Sequence, residues 1–400
     1  MTNVHISDQT PATFLTHGFY NPHDYSGIVN PPVFRASTML FRNFDDFEAR
    51  LRAVAEGEDD VSYYGRYGTP QTFELQKTLA HLEGGYRSIL LPSGLAACAS
   101  AIAALVKSGD HLLVSSCVYG PVRHYIGTVL ARMNVTVTYF DPALGADIEH
   151  LFQPNTSLVF AESPGSQTLD MQDIPAMVAV AHKLGALFVL DNTWATPLYF
   201  KSFQYGVDVS VHAATKYIVG HSDAQMGLIT TNQATWTRIR SYVRANGLHA
   251  APDDVFLAQR GLRTMALRLQ RHQSSALAVA QWLTTRAEVA QVLHPALPGA
   301  PGHSLWKRDF TGASGLFSVV LKPRFDKPAF RAFIDRLSLF GLGLSWGGYE
   351  SLVMPFDPTK TRPEYAWPHK GHCFRLHIGL ESPHELIACL ESSFAKLSSH

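Results

Sequence analysis

The fold is decided by one stretch of the sequence, which reads GVDVSVHAATKYIVGH from Gly206 to His221. Valines alternate with polar residues from position 207 to 211, as side chains do along a β-strand. The small residues that follow leave room for a bulky group close to the backbone. The stretch therefore predicts a strand that ends beside a ligand and delivers Lys216 to it.

Lys216 is expected to be partly removed from water at the end of this strand. Loss of water contacts lowers the pKa of a lysine, and its neutral amine can attack a carbonyl. Proteins bind pyridoxal phosphate covalently by this reaction. Taken alone, Lys216 also fits a solvated surface group on a non-catalytic α/β binding protein, because most lysines are exposed.

The composition argues for an ordinary globular protein that binds a small metabolite. The chain has 400 residues, of which 46% are hydrophobic and 16% charged, which is enough for two domains. Its 33 basic and 33 acidic side chains cancel, which argues against nucleic acid or a membrane surface as a partner. The four cysteines are isolated and the histidines form no metal motif. With no apolar leader or membrane span in the sequence, we expect a cytoplasmic protein without a metal.

Strand and helix patterns alternate between residues 111 and 191. Extended segments are predicted at 111–115, 135–140, 157–162 and 186–191, with helices at 119–133 and 174–185. Such alternation predicts a mostly parallel sheet that is covered on both faces, with its ligand at the carboxyl ends of the strands. Tyr119 and Asp191 both fall at those ends.

Asp191 ends an apolar run that begins at Ala186, so its carboxylate is expected to be partly buried. A buried carboxylate needs a positive partner. A protonated pyridine nitrogen would be one, and holding that proton lets a pyridoxal ring accept electrons from a substrate. A helix N-cap or a salt bridge to an arginine is the alternative.

Two segments before the sheet could bind a phosphate. The loop 63–70 combines aromatic residues with Arg66, which is typical of either a phosphate clamp or the edge of a core. Gly94 opens an alanine-rich helix whose first N–H groups favour an anion. Residues 1–62 carry little periodicity and are predicted to form an arm that contacts a neighbouring subunit.

The C-terminal part of the chain predicts a smaller α+β domain. We expect the large domain to span residues 63–256 and the second domain residues 257–400. A helix at 255–284 would join them, with its arginines, including Arg268, on a solvated face. The loop 345–351 is of the type that lines a pocket. Arg375 alternates with apolar neighbours and could hold a substrate carboxylate, although a surface salt bridge is the better-supported reading for this residue alone.

Taken together, motifs from nearly the whole chain resemble the pyridoxal-phosphate-dependent enzymes of cysteine and methionine metabolism. Within that family the pattern is most similar to the bacterial cystathionine β-lyases. The motifs are YYGR at 63–66, PSGLAA at 92–97, DNTWA at 191–195, ATKYIVGHSD at 214–223, RGLRT at 260–264, HPALPG at 294–299, WKRDFTG at 306–312 and SWGGYES at 345–351.

The resemblance implies an α/β fold of the aspartate-aminotransferase type, known as pyridoxal-phosphate fold type I, and a homotetramer built as a dimer of dimers. It also implies a set of cofactor-binding residues. Lys216 would bind the cofactor covalently, Asp191 would pair with the pyridine nitrogen, and Tyr119 would lie over the ring. The phosphate would be bound by Gly94, Leu95 and Thr215 of one subunit and by Tyr64 and Arg66 of its neighbour.

The resemblance further assigns Lys216 and Tyr119 to catalysis and places three residues on the substrate, namely Ser345, Trp346 and Arg375. One position departs from the family pattern. Ala213 stands where many relatives have serine, three residues before the lysine. One hydrogen bond to the phosphate is therefore expected to be missing, which would cost about 1.5–3 kcal/mol if nothing replaced it.

Single positions suggest the reaction. Pro121 stands where methionine γ-lyases usually carry a cysteine, whereas Val219, Trp346 and Tyr349 fit the bacterial β-lyase pattern. The resemblance thus implies a carbon–sulfur lyase that splits L-cystathionine by β-elimination into homocysteine, pyruvate and ammonia in methionine biosynthesis. A cysteine or cystine lyase, a cystathionine γ-lyase and a cystathionine γ-synthase are the alternatives.

Overall fold

A seven-stranded sheet dominates the computed structural model of the protein, which describes residues 9–397. Its strands lie in the order β1-β7-β6-β5-β4-β2-β3, and β7 runs antiparallel to both neighbours while the other pairs are parallel. The predicted, mostly parallel sheet is confirmed. The strands are β1 (Arg87–Leu91), β2 (His111–Ser115), β3 (Thr136–Phe140), β4 (Thr156–Glu162), β5 (Leu187–Asp191), β6 (Val209–Ala213) and β7 (Gly227–Thr231).

A second sheet of five strands follows later in the chain. Its order is β10-β11-β12-β9-β8, and it is antiparallel except for the short pair β10 and β11. Its inner face packs on a cluster that includes Phe317, Phe333 and Phe374. The strands are β8 (Val289–Leu293), β9 (Leu316–Leu321), β10 (Gly341–Leu342), β11 (Leu352–Phe356) and β12 (Cys373–His377).

Helices cover both faces of the larger sheet. Phe188 and Met177 belong to the core on one face, and Val211 and Ile102 belong to the core on the other. The α-helices are α1 (Pro11–His17), α2 (Phe44–Ala55), α3 (Pro70–Glu83), α4 (Gly94–Leu105), α5 (Gly120–Thr128), α6 (Ile174–Lys183), α7 (Thr196–Tyr199), α8 (Gln233–Ala245), α9 (Pro252–Arg263), α10 (Met265–Thr284), α11 (His303–Asp309), α12 (Lys327–Arg336), α13 (Pro358–Thr361) and α14 (Pro383–Phe394). Within residues 9–397, 3-10 helical segments occur at Pro22–Tyr25, Gly65–Tyr67, Leu130–Met133, Ser202–Tyr205 and Pro142–Leu151, the last of which is interrupted by the non-helical Gly145.

The predicted helical stretch over 255–284 is present, and Thr264 divides it into α9 and α10. The prediction of a solvated face for Arg268 is wrong. Arg268 is buried, and it donates to the backbone oxygens of Tyr217 at 2.9 Å and Gly261 at 2.6 Å. Its guanidinium thereby ties α9 and α10 to the segment that follows Lys216.

Residues 1–8 of the segment 1–62 lie outside the described residues. Within residues 9–397, no helix has both the length and the apolar character that crossing a membrane requires.

Candidate active site

A cavity of about 320 Å³ lies at the carboxyl ends of the parallel strands. Asp191 is the last residue of β5, Glu162 is the last residue of β4, and the two are register partners. Ligands of such sheets bind at this edge. The structure brings nine of the predicted site residues to the cavity, and these are Gly94, Leu95, Tyr119, Asp191, Thr215, Lys216, Ser345, Trp346 and Arg375.

Lys216 follows β6 by three residues and points its amine at the loop after β10. The amine donates to Ser345 Oγ at 2.8 Å and lies 5.4 Å from the centre of the Trp346 ring. Burial and the nearby Arg375 lower the pKa of Lys216 to about 8, against the opposing effect of Asp191. At pH 7 roughly one amine in ten is therefore neutral and able to attack a carbonyl.

Two glycines allow the backbone to approach closely around Lys216. Gly347 has a φ of +88°, and a Cβ placed there would lie 2.9 Å from Lys216 Cα. A Cβ on Gly94 would lie 2.5 Å from the Cβ of Ala213. Side chains at these two positions would push away the loop that carries Ser345 and the start of α4.

Asp191 is 7% exposed and is held by hydrogen bonds from neutral groups. Thr193 donates to Asp191 Oδ1 through its backbone N–H at 3.0 Å and through its hydroxyl at 2.5 Å, and Cys98 Sγ lies 3.6 Å from Oδ2. Burial raises the pKa of Asp191, while the Thr193 bonds oppose that change. Within residues 9–397 no basic side chain forms an ion pair with Asp191, so the alternative of a salt bridge to an arginine is wrong.

Arg375 lies on β12 and is 6% exposed, so the alternative of a surface salt bridge is also wrong. Its Nη2 donates to the backbone oxygens of Leu344 at 2.9 Å and Ser345 at 3.3 Å. Burial lowers the pKa of Arg375 to about 10. Within residues 9–397 this buried guanidinium is bound only to neutral groups, so it is well suited to bind the carboxylate of a ligand.

The start of α4 presents backbone N–H groups to the cavity. Ser93 caps the helix by accepting from the Ala96 N–H at 3.1 Å, which leaves the N–H groups of Gly94 and Leu95 without helical partners. Such a position favours a phosphate. Thr215 also lines the cavity, but its hydroxyl already accepts from the Met226 N–H at 2.9 Å and donates to the Met226 oxygen at 3.2 Å.

Glu162 is a residue of the site that the sequence analysis missed. Its Oε2 accepts from the backbone N–H of Tyr119 at 2.6 Å, just before α5. Burial and the neighbouring Asp191 raise the pKa of Glu162 well above its usual range. Glu162 ends an apolar strand with a carboxylate, as Asp191 does, and this signal could have identified it.

Tyr64 and Arg66 lie outside this cavity. The Arg66 guanidinium stacks at 5.4 Å over the Tyr64 ring and at 4.7 Å over the Tyr67 ring. The chain therefore does not bring them to its own Lys216. Their predicted contribution to a neighbouring subunit stays a prediction.

Comparisons with known proteins agree with this geometry. Residues 12–395 match the family model described as Cys/Met metabolism PLP-dependent enzyme. The chain belongs to that family. A protein of Rhizobium johnstonii is 48% identical over 389 residues, which cover 96% of each chain. A cystathionine beta-lyase of Escherichia coli K12 is 43% identical over 376 residues, which cover 93% of this chain and 94% of the relative.

Solved structures confirm the predicted fold type. A cystathionine gamma synthase from Xanthomonas oryzae pv. oryzae has a TM-score of 0.87 and 30% identity, and the match covers 98% of this chain and 99% of the other. The protein is therefore a pyridoxal-phosphate-dependent enzyme of fold type I.

The residues in the cavity fit this cofactor. The buried carboxyl of Asp191, which has no ion-pair partner among residues 9–397, suits a protonated pyridine nitrogen, and the amine of Lys216 suits an aldehyde. The glycine at position 94 keeps the helix start accessible, where a side chain would collide with Ala213. The ring nitrogen, the aldehyde and the phosphate of pyridoxal phosphate thus each have a complementary group in the site.

The pKa of Lys216 predicts how uptake of the cofactor depends on pH. Because the neutral amine is the reactive form, covalent uptake by cofactor-free protein should accelerate as pH rises, with a midpoint at about pH 8. Stopped-flow absorbance after mixing with pyridoxal phosphate measures this profile. Arg375→Met removes a neighbouring positive charge and should move the midpoint to higher pH. A wild-type midpoint near that of a solvated lysine would contradict the account.

Proposed function

We propose that the protein is a carbon–sulfur lyase that splits L-cystathionine by β-elimination into homocysteine, pyruvate and ammonia, as a step of methionine biosynthesis. The observation that carries the proposal is the placement of the Lys216 amine beside Ser345, in one cavity with an Arg375 that has no ion-pair partner among residues 9–397. The similarity to a cystathionine beta-lyase over nearly the whole chain supports it.

Each of three side chains has a separate role in such a reaction. Arg375 binds the substrate carboxylate, which fixes the Cα–H bond in the cavity. Lys216, with a pKa of about 8, is a base that can take the Cα proton near neutral pH. The cofactor supplies a sink for the electrons that this proton leaves behind, and Asp191 maintains the positive ring nitrogen on which that capacity depends. The sulfur then leaves Cβ as a thiolate and takes up a proton to give homocysteine, and hydrolysis of the remaining unsaturated amino acid by water gives pyruvate and ammonia.

Positioned proton transfer by a base such as Lys216 contributes roughly a hundred- to ten-thousand-fold to a rate.

Tyr119 is proposed to cover the cofactor ring, because its side chain lines the cavity and its backbone is held by Glu162. Burial raises the pKa of Tyr119, so its hydroxyl stays protonated at neutral pH. Tyr119 can thus donate a hydrogen bond within the site.

The identity of the keto acid tests the proposed reaction. L-cystathionine incubated with the enzyme should yield pyruvate, detected by mass, with one homocysteine per pyruvate. Lys216→Ala should lower the rate by at least about a hundredfold, because it removes the base. The product 2-oxobutyrate would mean γ-elimination. Cystathionine formed from cysteine and an activated homoserine, without keto acid, would mean a γ-synthase, and a strong preference for cystine would mean a cystine lyase.

We also propose that the protein is a cytoplasmic homotetramer, in which residues 1–62 contact a neighbouring subunit. Each subunit would have a large domain at 63–256 and a second domain at 257–400. Tyr64 and Arg66 lie outside the chain's own cavity, and residue Thr38 of the arm pairs with Tyr64. Apolar side chains of the arm are exposed, including Val29 at 70% and Leu40 at 86%. Such surfaces commonly mark protein contacts.

Mixed subunits test the shared site. Arg66→Ala and Lys216→Ala should each be nearly inactive, and a mixture that exchanges subunits should regain activity, because some hybrid sites carry both native residues. Up to about a quarter of the wild-type activity is expected from random dimers. Mass spectrometry of the intact complex verifies the exchange. Proven exchange without any recovery would contradict the shared site.

A further inference from the structure

The loop 163–170 leaves β4 and forms one wall of the cavity. Its residues Ser166, Gln167 and Leu169 line the space that Lys216 enters. Gln167 has a φ of +65° and Leu169 a φ of +55°, in the left-handed region that residues other than glycine rarely adopt. Strained backbone of this kind persists only where its surroundings hold it, and it is concentrated at functional sites.

Arg362, just after α13, forms hydrogen bonds that stabilise the strained loop. It is 2% exposed, although an arginine is among the residues least often buried. Its Nη1 donates to Asp170 Oδ2 at 2.7 Å and to Thr168 Oγ1 at 2.8 Å, both on the loop. Its Nη2 donates to Ser116 Oγ at 3.1 Å, three residues before Tyr119. The guanidinium thus joins the loop to the segment that carries Tyr119.

Two further contacts fix Gln167 itself. Thr361 Oγ1 donates to Gln167 Oε1 at 3.3 Å, and Ser318 Oγ on β9 donates to the Gln167 backbone oxygen. Side chain and main chain of this cavity residue are therefore bound from two different elements of the second half of the chain. The ring of Tyr365 covers the outer side of the Arg362 guanidinium at 4.1 Å.

A buried ion pair often has only a structural role, because the cost of removing both charges from water offsets their attraction. Arg362 differs in where its partners lie. Asp170 and Thr168 belong to the loop whose neighbouring residues line the cavity, and Ser116 lies three residues before Tyr119. Within residues 9–397 no hydrogen bond of Arg362 reaches the groups proposed to hold the cofactor. We propose that Arg362 is a positioning residue, which holds loop 163–170 in the strained shape that the amino-acid substrate fits.

The first test measures the loop in cofactor-free protein by amide hydrogen exchange of a peptide covering residues 163–170. Arg362→Met keeps an unbranched apolar stem and removes the guanidinium donors, so exchange should accelerate by about tenfold or more. Arg331→Met, an exposed arginine on α12, is the matched control and should leave exchange unchanged. Unchanged exchange in folded Arg362→Met protein would overturn the proposal.

The second test measures kinetics with L-cystathionine and rests on the proposed function. Arg362→Met should raise KM about tenfold with kcat within about threefold, because the wall binds substrate without taking part in the chemistry. The visible absorbance of the bound cofactor should stay unchanged. Arg362→Lys should restore KM only in part, since one ammonium cannot reach all three partners in the geometry of a guanidinium.

Thr361→Val provides a milder variant if Arg362→Met fails to fold. It removes the bonds from Thr361 Oγ1 to Gln167 Oε1 and to the Pro358 backbone oxygen, leaves the Arg362 contacts in place, and should raise KM about two- to threefold. A fall in kcat and cofactor binding with KM unchanged, in either variant, would overturn the positioning role. Wild-type enzyme that released no keto acid would refute the proposed function instead, and the exchange experiment would still decide the inference.

Discussion

Three charged side chains, Lys216, Asp191 and Arg375, face one cavity without an ion-pair partner among residues 9–397. Burying a charge is unfavourable unless other groups compensate for the lost water. Here the compensation is neutral and fixed: Thr193 donates to Asp191, backbone oxygens accept from Arg375, and Ser345 accepts from Lys216. Asp191 therefore remains available to pair with a positive ring nitrogen, and Arg375 remains available to bind a carboxylate.

The two halves of the chain are both needed for this arrangement. The larger sheet ends at Asp191 and leads to Lys216, and the second sheet supplies Arg375. Tyr217 joins them directly after the lysine, since its buried ring packs at 5.4 Å from the Trp346 ring and its hydroxyl accepts from the Gly315 N–H at 2.9 Å. A shift between the sheets would consequently separate the proposed base from the proposed carboxylate site.

Predictions from the sequence were confirmed where they rested on a pattern of neighbouring residues. The alternation of strands and helices predicted the sheet, and the strand 111–115 agrees residue for residue with β2. The apolar run before Asp191 and the valine strand before Lys216 placed both at one edge, because parallel strands end together. The family resemblance then located seven further cavity residues, namely Gly94, Leu95, Tyr119, Thr215, Ser345, Trp346 and Arg375.

The failures share a physical cause, which is that partners distant in sequence decide the burial of a polar residue. Arg268 sits on a helix in the pattern of a solvated face, yet backbone oxygens of Tyr217 and Gly261 bind it. Glu162 and Arg362 also acquire their roles from residues far along the chain. Tyr64 and Arg66 lie outside the chain's own cavity, and their contribution to a neighbouring subunit stays a prediction of the motif.

The most direct measurement locates the covalent attachment of the cofactor. Borohydride reduces the carbon–nitrogen double bond between pyridoxal phosphate and a lysine, which makes the link stable for peptide mapping by mass spectrometry. The account predicts one label per chain, on Lys216. Lys201 is the informative competitor, because burial lowers its pKa as well and its Nζ donates to the backbone oxygen of Leu82. A label on Lys201 or on any other lysine, with Lys216 unmodified, would contradict the account.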